Sequence, residues 1–381
     1  MTSLRIVVCP DSFKESMTAT QAANAIEKGI QNVCKTCEVV KVPLADGGEG
    51  TAAILTERLG ADVVEAEVTG PLGDRVVARY GLLNEKTAIM DVASVIGLEL
   101  VPEEKRNPLH ASSYGLGELI VHALDRGAEA FIIGLGGSAT NDGGIGMMQA
   151  LGAEIVNAKK EPVGFGGKGL HEIANMNIDS LDSRLKQCTF TIISDVDNVL
   201  IGPKGATYTY GRQKGADDAM LEQLERGMEH FAEVVKRDLE IDVAGHPSAG
   251  AAGGLGAAFI AFLRANVKSG IDYIIELTGL EKEIEQAAFV FTGEGKIDDQ
   301  TLHGKTLSGV AALGKKHHVP VIAFVGANLV EQKAFYESGI TAVFSILDKP
   351  LSLQESLANG ARLLEKQVEN VVRLLLSNGE K

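Results

Sequence analysis

Strand–helix–strand periodicity appears at both ends of this 381-residue chain and breaks down between them. At the amino end, "LRIVVCP" reads as a strand. Thr18, with Gln21 three residues on, forms a capping box, and Ala22, Ile26, Ile30 and Val33 then share one helical face. "EVVKVPL" follows as a second strand, so the chain opens as a β-α-β unit, which favours a parallel sheet. Near residue 280 the pattern returns, with "AFVFTG", "VPVIAFVG" and "TAVFSIL" as strands between helical stretches. Ser352 with Glu355 caps a long final helix carrying Leu363, Leu364, Val368, Val371 and Leu375. In the middle, "ADVVEAEVTGPLGDRVVARYGLLNEKTAIMDVAS" alternates apolar and polar residues around Gly-Pro and Asn-Glu turns, the pattern of antiparallel hairpins. The chain is also too long for one core. The simplest organisation is a two-domain α/β protein. Residues 1–65 and 280–381 form a doubly wound parallel-sheet domain, and an α/β domain with hairpins and glycine-rich loops, residues 66–279, is inserted between them.

Charge narrows the function. The formal net charge is −15 and no basic run offsets it, which sets aside nucleic acid and anionic membranes as partners. The amino terminus, "MTSLRIVVCPDS", lacks the apolar core and cleavage site of a signal peptide, and no run of eighteen apolar residues exists, so a cytoplasmic protein is expected. Cys34 and Cys37 form a lone Cys-x-x-Cys, which does not support a zinc site and reads as two incidental thiols near a helix end. No two histidines stand at metal-ligand spacing on a recognisable helix.

Chemistry concentrates in loops. "GLGGSATNDGGIG" (134–146) follows an apolar run and carries almost no side chain, as a backbone that must approach phosphate would. Its first six residues satisfy G-x-G-x-x-A, so an NAD-dependent oxidoreductase using "GLGGSA" is the rival reading, although "TNDGG" intervenes before any helix. "DQTLHGKT" is a near miss to a Walker loop, because Asp299 occupies the first glycine position. "LADGGEGT" (44–51) and "FTGEGKIDDQT" (291–301) each set a glutamate between glycines after a strand, at the end where open α/β sheets bind ligands. "CPDSFKES" contributes Asp11, Ser12 and Lys14 at the end of the first strand. In "ISDVDN", Asp195 and Asp197 stand two apart at a strand end and so face one side, a donor pair suited to Mg²⁺ carrying phosphates. "SAGAAGGLGAAFIAFLRA" is a small-residue loop running into an apolar helix, serving either an anion or close helix packing.

Taken in order, "VCPDSFKESMTA", "PLADGGEGT", "GLGGSATNDGGIGMMQALGA", "SDVDN", "YGRQKGA", "GAAGGLGAAF" and "TGEGKIDDQTLHGK" resemble the bacterial glycerate kinase family that lacks a Walker loop. The resemblance runs from about residue 5 to about residue 375 and departs at Val199, where the family usually has proline. It implies a Rossmann-like domain with a second α/β domain inserted, and ATP-dependent phosphorylation of D-glycerate with Mg²⁺, the 2-phosphate being the more usual product.

On that reading Asp195 and Asp197 hold Mg²⁺. The amides of Gly136, Gly137, Ser138, Gly143 and Gly144 cradle phosphate or the glycerate carboxylate, and Lys14 and Lys296 balance charge on the transferring group. Asp46 or Glu294 orients the acceptor hydroxyl and takes its proton, with Asp142 as a third candidate. Asp11, Ser12, Gly47, Gly48, Glu49, Asn141, Asp142, Gly253, Gly254, Asp298 and Thr301 complete the expected binding set. The sequence leaves the oligomeric state open.

Overall fold

Residues 4–297, 306–328 and 332–377 are described by the structure, a computed structural model. The chain starts with β1 (Arg5–Val8), the helix Ala19–Gln31 and β2 (Glu38–Lys41). The expected capping box forms: the Gln21 amide donates to the Thr18 hydroxyl, and the Thr18 amide donates to the Gln21 side chain. The central stretch supplies β3 (Asp62–Thr69), β4 (Arg75–Leu83), β5 (Thr87–Asp91), β6 (Ala130–Gly134), β7 (Glu154–Val156), β8 (Asn175–Asn177), β9 (Thr189–Ile193) and β10 (Asn266–Lys268). β11 (Phe289–Ile297), β12 (Val321–Asn328) and β13 (Ile340–Ser345) close the chain's sheet structure.

These elements fall into two compact units, Met1–Asp46 with Ser269–Lys381, and Gly47–Lys268. Both divisions lie earlier in the chain than the sequence pattern suggested. The helix Thr51–Leu59 packs on β4 and β5, with Thr56 against Gly81, which draws it into the inserted unit. The helix Gly270–Thr278 packs Ile271 against Gly309 of the helix Thr306–His317, which draws it into the terminal unit.

The terminal unit holds a fully parallel sheet in the order β13-β12-β11-β1-β2. Because side chains alternate across a strand, Ile6, Val8, Phe291, Ile322 and Phe324 pack with Ala22, Ile26, Ile30, Leu363, Leu364 and Val368 of two helices. On the other face Ile297, Ala323 and Val325 pack with Leu307, Ala311 and Phe335. From β1 the chain moves one way to β2, and from β11 it moves the other way to β12 and β13. The order therefore reverses between β1 and β11, the place where open α/β sheets take ligands at their carboxyl ends.

The inserted unit holds a mixed sheet in the order β10-β9-β6-β5-β4-β3. β10, β9, β6 and β5 run parallel, and β5-β4-β3 is the antiparallel meander read from the alternating stretch. Phe131 and Phe190 are direct cross-strand partners in this sheet and stack at 4.7 Å between ring centres.

Two local expectations change. The capping box at Ser352 and Glu355 forms, but it starts a short helix, Leu353–Ala358, and a second helix, Gly360–Leu376, follows Asn359. The break is set by packing, since the Ser16 hydroxyl donates to the Leu357 carbonyl at 2.7 Å and Ser16 leaves no room for a side chain at Gly360. Cys34 and Cys37 are not separate thiols but a disulfide: a tight turn, closed by the Cys37 amide donating to the Cys34 carbonyl, brings their Cα atoms to 5.4 Å. Among the described residues no helix is long and apolar enough to cross a membrane.

Candidate active site

In the terminal unit, loop residues gather where the strand order reverses. The Asp11 amide donates to the Gly293 carbonyl at 2.9 Å, which ties the loop after β1 to β11. The Asp11 carboxylate accepts from the Ser12 amide at 2.5 Å and from the Thr306 hydroxyl at 2.6 Å. Burial pushes this carboxyl up to about 6, and the Asp46 carboxylate adds to the rise, against the pull of the Ser12 and Thr306 bonds. Glu294 and Lys296 lie not in a loop but in a strand, because β12 continues alongside and pairs Glu294 with Val325 and Lys296 with Ala327. Strand alternation puts those two on one face, while Gly295 faces the backbone of Phe13. Lys14 and Lys296 are exposed, and Asp298 and Thr301 lie outside the described residues.

In the inserted unit, two glycine loops meet over the carboxyl ends of β5, β6 and β9. The Leu135 amide donates to the Ile193 carbonyl, and the Gly136 amide to the Gly47 carbonyl. A Cβ on Gly136 would overlap the Cα of Gly48, so this backbone-on-backbone approach admits only glycine. Asp91, the last residue of β5, fixes the first of these loops. Its buried carboxylate accepts from the Gly50 amide at 3.1 Å and the Ala52 amide at 3.0 Å, at the start of the helix Thr51–Leu59. Burial pushes Asp91 up to about 7; the two amides oppose the shift and Glu49 adds to it. Gly137 is exposed, Gly136 half-buried and Ser138 only 5% exposed, so the open part of the loop is short.

The rest of the loop turns inward, which corrects part of the expected cradle. Asn141, Asp142, Gly143 and Gly144 are buried. Asp142 accepts from the Ser113 amide at 2.8 Å, the Ser113 hydroxyl at 2.9 Å and the Gly144 amide at 3.1 Å. Enclosed and pushed up by burial, it anchors the loop and is not placed to take a proton from a substrate. The Gly143 amide donates to the Gly253 carbonyl, and a Cβ on Gly254 would lie 2.7 Å from the Cα of Gly143. Of the two roles open to the small-residue loop before the helix Ala251–Leu263, the structure shows close packing. The six residues "GLGGSA" do not build a dinucleotide turn, since the next helix starts only at Ile145, six residues past Ala139.

Asp195 and Asp197 lie past the end of β9, both exposed. The chain has left the sheet at Ile193, so strand alternation does not order them; a turn in which the Ser194 hydroxyl donates to the Val196 carbonyl does. Among the described residues no three His, Cys, Asp or Glu side chains gather as a metal cage. Two exposed carboxylates without a third fit Mg²⁺, which takes one or two protein carboxylates and completes its shell with water and substrate phosphate. The short open cradle beside them, of glycine backbone and one hydroxyl, fits a phosphate group.

The model of the glycerate kinase family matches residues 6–376. The chain belongs to that family. It is 47% identical over 367 residues to the glycerate kinase of Halalkalibacterium halodurans, covering 96% of this chain and 97% of that protein. It is 48% identical over 355 residues to the glycerate 2-kinase of Escherichia coli, covering 93% of each. A crystal structure from Salmonella typhimurium LT2, assigned as a glycerate kinase 2, is similar throughout, with a TM-score of 0.87, 42% identity and full coverage of both chains.

Two residues of this family member escaped the sequence reading. Asp91 closes an apolar strand, "TAIMD", and no local pattern shows that its carboxylate holds another loop. Lys214 stands in "YGRQKGA", a motif recognised without a role for the lysine, and it is 3% exposed beneath the glycine loop.

Proposed function

We propose that this chain transfers the terminal phosphoryl group of ATP to D-glycerate with Mg²⁺, giving 2-phosphoglycerate, in cytoplasmic organic-acid catabolism of the glyoxylate or glucarate type. The observation that carries this reading is the near-full-length match, at 48% identity, to the Escherichia coli protein named glycerate 2-kinase. The geometry agrees with it. Phosphoryl transfer needs positioning and charge neutralisation more than covalent chemistry. In the inserted unit, the amides of Gly137 and Ser138 donate to no protein group among the described residues, so they are available to an anionic oxygen. Gly136 lets the loop lie directly on the one that carries Gly47, Gly48 and Glu49.

Asp195 and Asp197 are the residues that would hold Mg²⁺, whose chemistry is to neutralise phosphate charge. In the terminal unit, Lys14 and Lys296 supply cations for the transferring group. Asp46 or Glu294 orients the acceptor hydroxyl and takes its proton, and Asp11 and Ser12 shape the loop beside Asp46. The test is ADP release from MgATP and D-glycerate, with NMR of the product. Release with a 2-phosphate product is expected. A 3-phosphate product would move the reacting hydroxyl, and no ADP release would overturn the reading.

A further inference from the structure

Lys214 belongs to none of the roles above. It ends the short turn of helix Arg212–Lys214, and its side chain runs inward until almost nothing is exposed. Its Nζ donates to the Ser138 hydroxyl oxygen at 3.0 Å and to the Thr140 carbonyl at 2.7 Å. A buried lysine is costly unless its charge is used or compensated. Neither hydrogen-bond partner is a carboxylate. Asp142 is the acidic group whose charge reaches it, and that carboxylate is already taken up by Ser113 and Gly144. Burial accordingly pushes the ammonium down to about 7, with Asp142 pulling it back up.

The two bonds have directional consequences. A lysine ammonium can only donate, so the Ser138 oxygen must accept from it, and the serine's own hydrogen is left to donate elsewhere. The Thr140 carbonyl points at Lys214, and in a trans peptide the following N–H points the opposite way. We infer that Lys214 is a positioning residue for the anion site at Gly136–Ser138: it turns the Ser138 hydroxyl into a donor and adds positive potential beneath an anionic oxygen seated there. The inference rests on the kinase reading for the identity of that oxygen, which belongs either to a nucleotide phosphate or to a glycerate carboxylate. An approaching anion favours the charged lysine, so ligand and ammonium stabilise each other across the loop.

The experiment is calorimetric binding to the full-length protein, with MgADP and D-glycerate titrated separately into wild type, Lys214→Met, Ser138→Ala and the double variant. Lys214→Met should weaken one of the two ligands at least tenfold, and the ligand affected identifies the anion. Ser138→Ala should weaken the same ligand at least threefold, and the double variant should be no worse than Lys214→Met, because the hydroxyl acts through the lysine. A merely structural lysine would lower the melting temperature and leave both affinities within twofold of wild type, which would overturn the inference. Full additivity of the two substitutions would also overturn it. If Lys214→Met does not fold, Ser138→Ala decides, since unchanged affinity for both ligands refutes the hydroxyl's role. MgADP binding remains readable even if D-glycerate is not the acceptor, so failure of this inference and failure of the kinase reading are separable.

Discussion

Gly136→Ala is the sharpest perturbation of the paired glycine loops. The added methyl would overlap the Gly48 Cα and stand 3.3 Å from its carbonyl carbon and 3.4 Å from its amide nitrogen. All three neighbours are backbone, so no rotamer change relieves the clash. The loop cannot simply retreat, because Asp91 holds its far end through the Gly50 and Ala52 amides. Overpacking of this kind costs about 1–3 kcal/mol. For a unit of this size each kcal/mol lowers the melting temperature by about 2–4 °C, so a fall of roughly 2–12 °C is expected. A displacement of the order of 1 Å at a substrate-positioning group costs about a hundredfold in rate, so kcat/KM should fall by that order. Gly73→Ala separates clash from backbone strain. Gly73 sits in the turn between β3 and β4 at φ +92° with nothing within 4 Å of a new Cβ. Its variant should lose about 1–2 kcal/mol to strain and keep normal turnover. Thermal unfolding and steady-state ADP release on the two variants provide the comparison. Gly136→Ala melting within 1 °C of wild type with unchanged kcat/KM would refute the close approach of the two loops.

Asp91→Asn should change the pH dependence of stability. The folded carboxyl titrates near 7 against an ordinary value of 3.8, so between those values the folded state keeps a proton that the unfolded state has lost. Stability is therefore fullest below about pH 4 and falls as pH rises toward 7, by up to ~4 kcal/mol from this group. The variant lacks that titration, and urea melts at pH 5 and 7.5 should show a smaller loss than in wild type; identical losses would clear Asp91 of the effect. Asp195→Asn should fold normally, lower kcat about a hundredfold and raise the Mg²⁺ concentration needed for half-maximal rate. Mg²⁺ titration of the rate is the check, and an unchanged midpoint with near-normal turnover would remove Asp195 from the metal site.

The terminal unit was readable because its signals are local. Apolar runs in β1, β11 and β12 are buried on both faces, and the capping boxes at Thr18 and Ser352 need only residues three apart. What escaped was set by partners distant in sequence. Nothing near Gly360 reveals that Ser16 will interrupt a helix there, and nothing near Glu294 shows that β12 continues far enough to extend its strand. In the candidate site, the glycine stretch 134–146 was recognisable by composition, but composition does not separate glycines that open toward a ligand from glycines that let two backbones touch. Gly136 and Gly137 reach the surface, whereas Gly143 and Gly144 are packed against Phe231 and Ala258. Lys214 and Asp91 were hidden for a related reason: each acts on a loop more than thirty residues away in sequence.

Main-chain amides are the groups credited here with holding phosphate, and hydrogen exchange reads them directly. Exchange should be followed by mass spectrometry in peptides covering residues 47–50 and 135–139, with Mg²⁺ alone and with saturating MgADP. Slower exchange in both peptides on adding nucleotide is the predicted result. Saturated binding that leaves both peptides unprotected, with protection appearing elsewhere, would contradict the account.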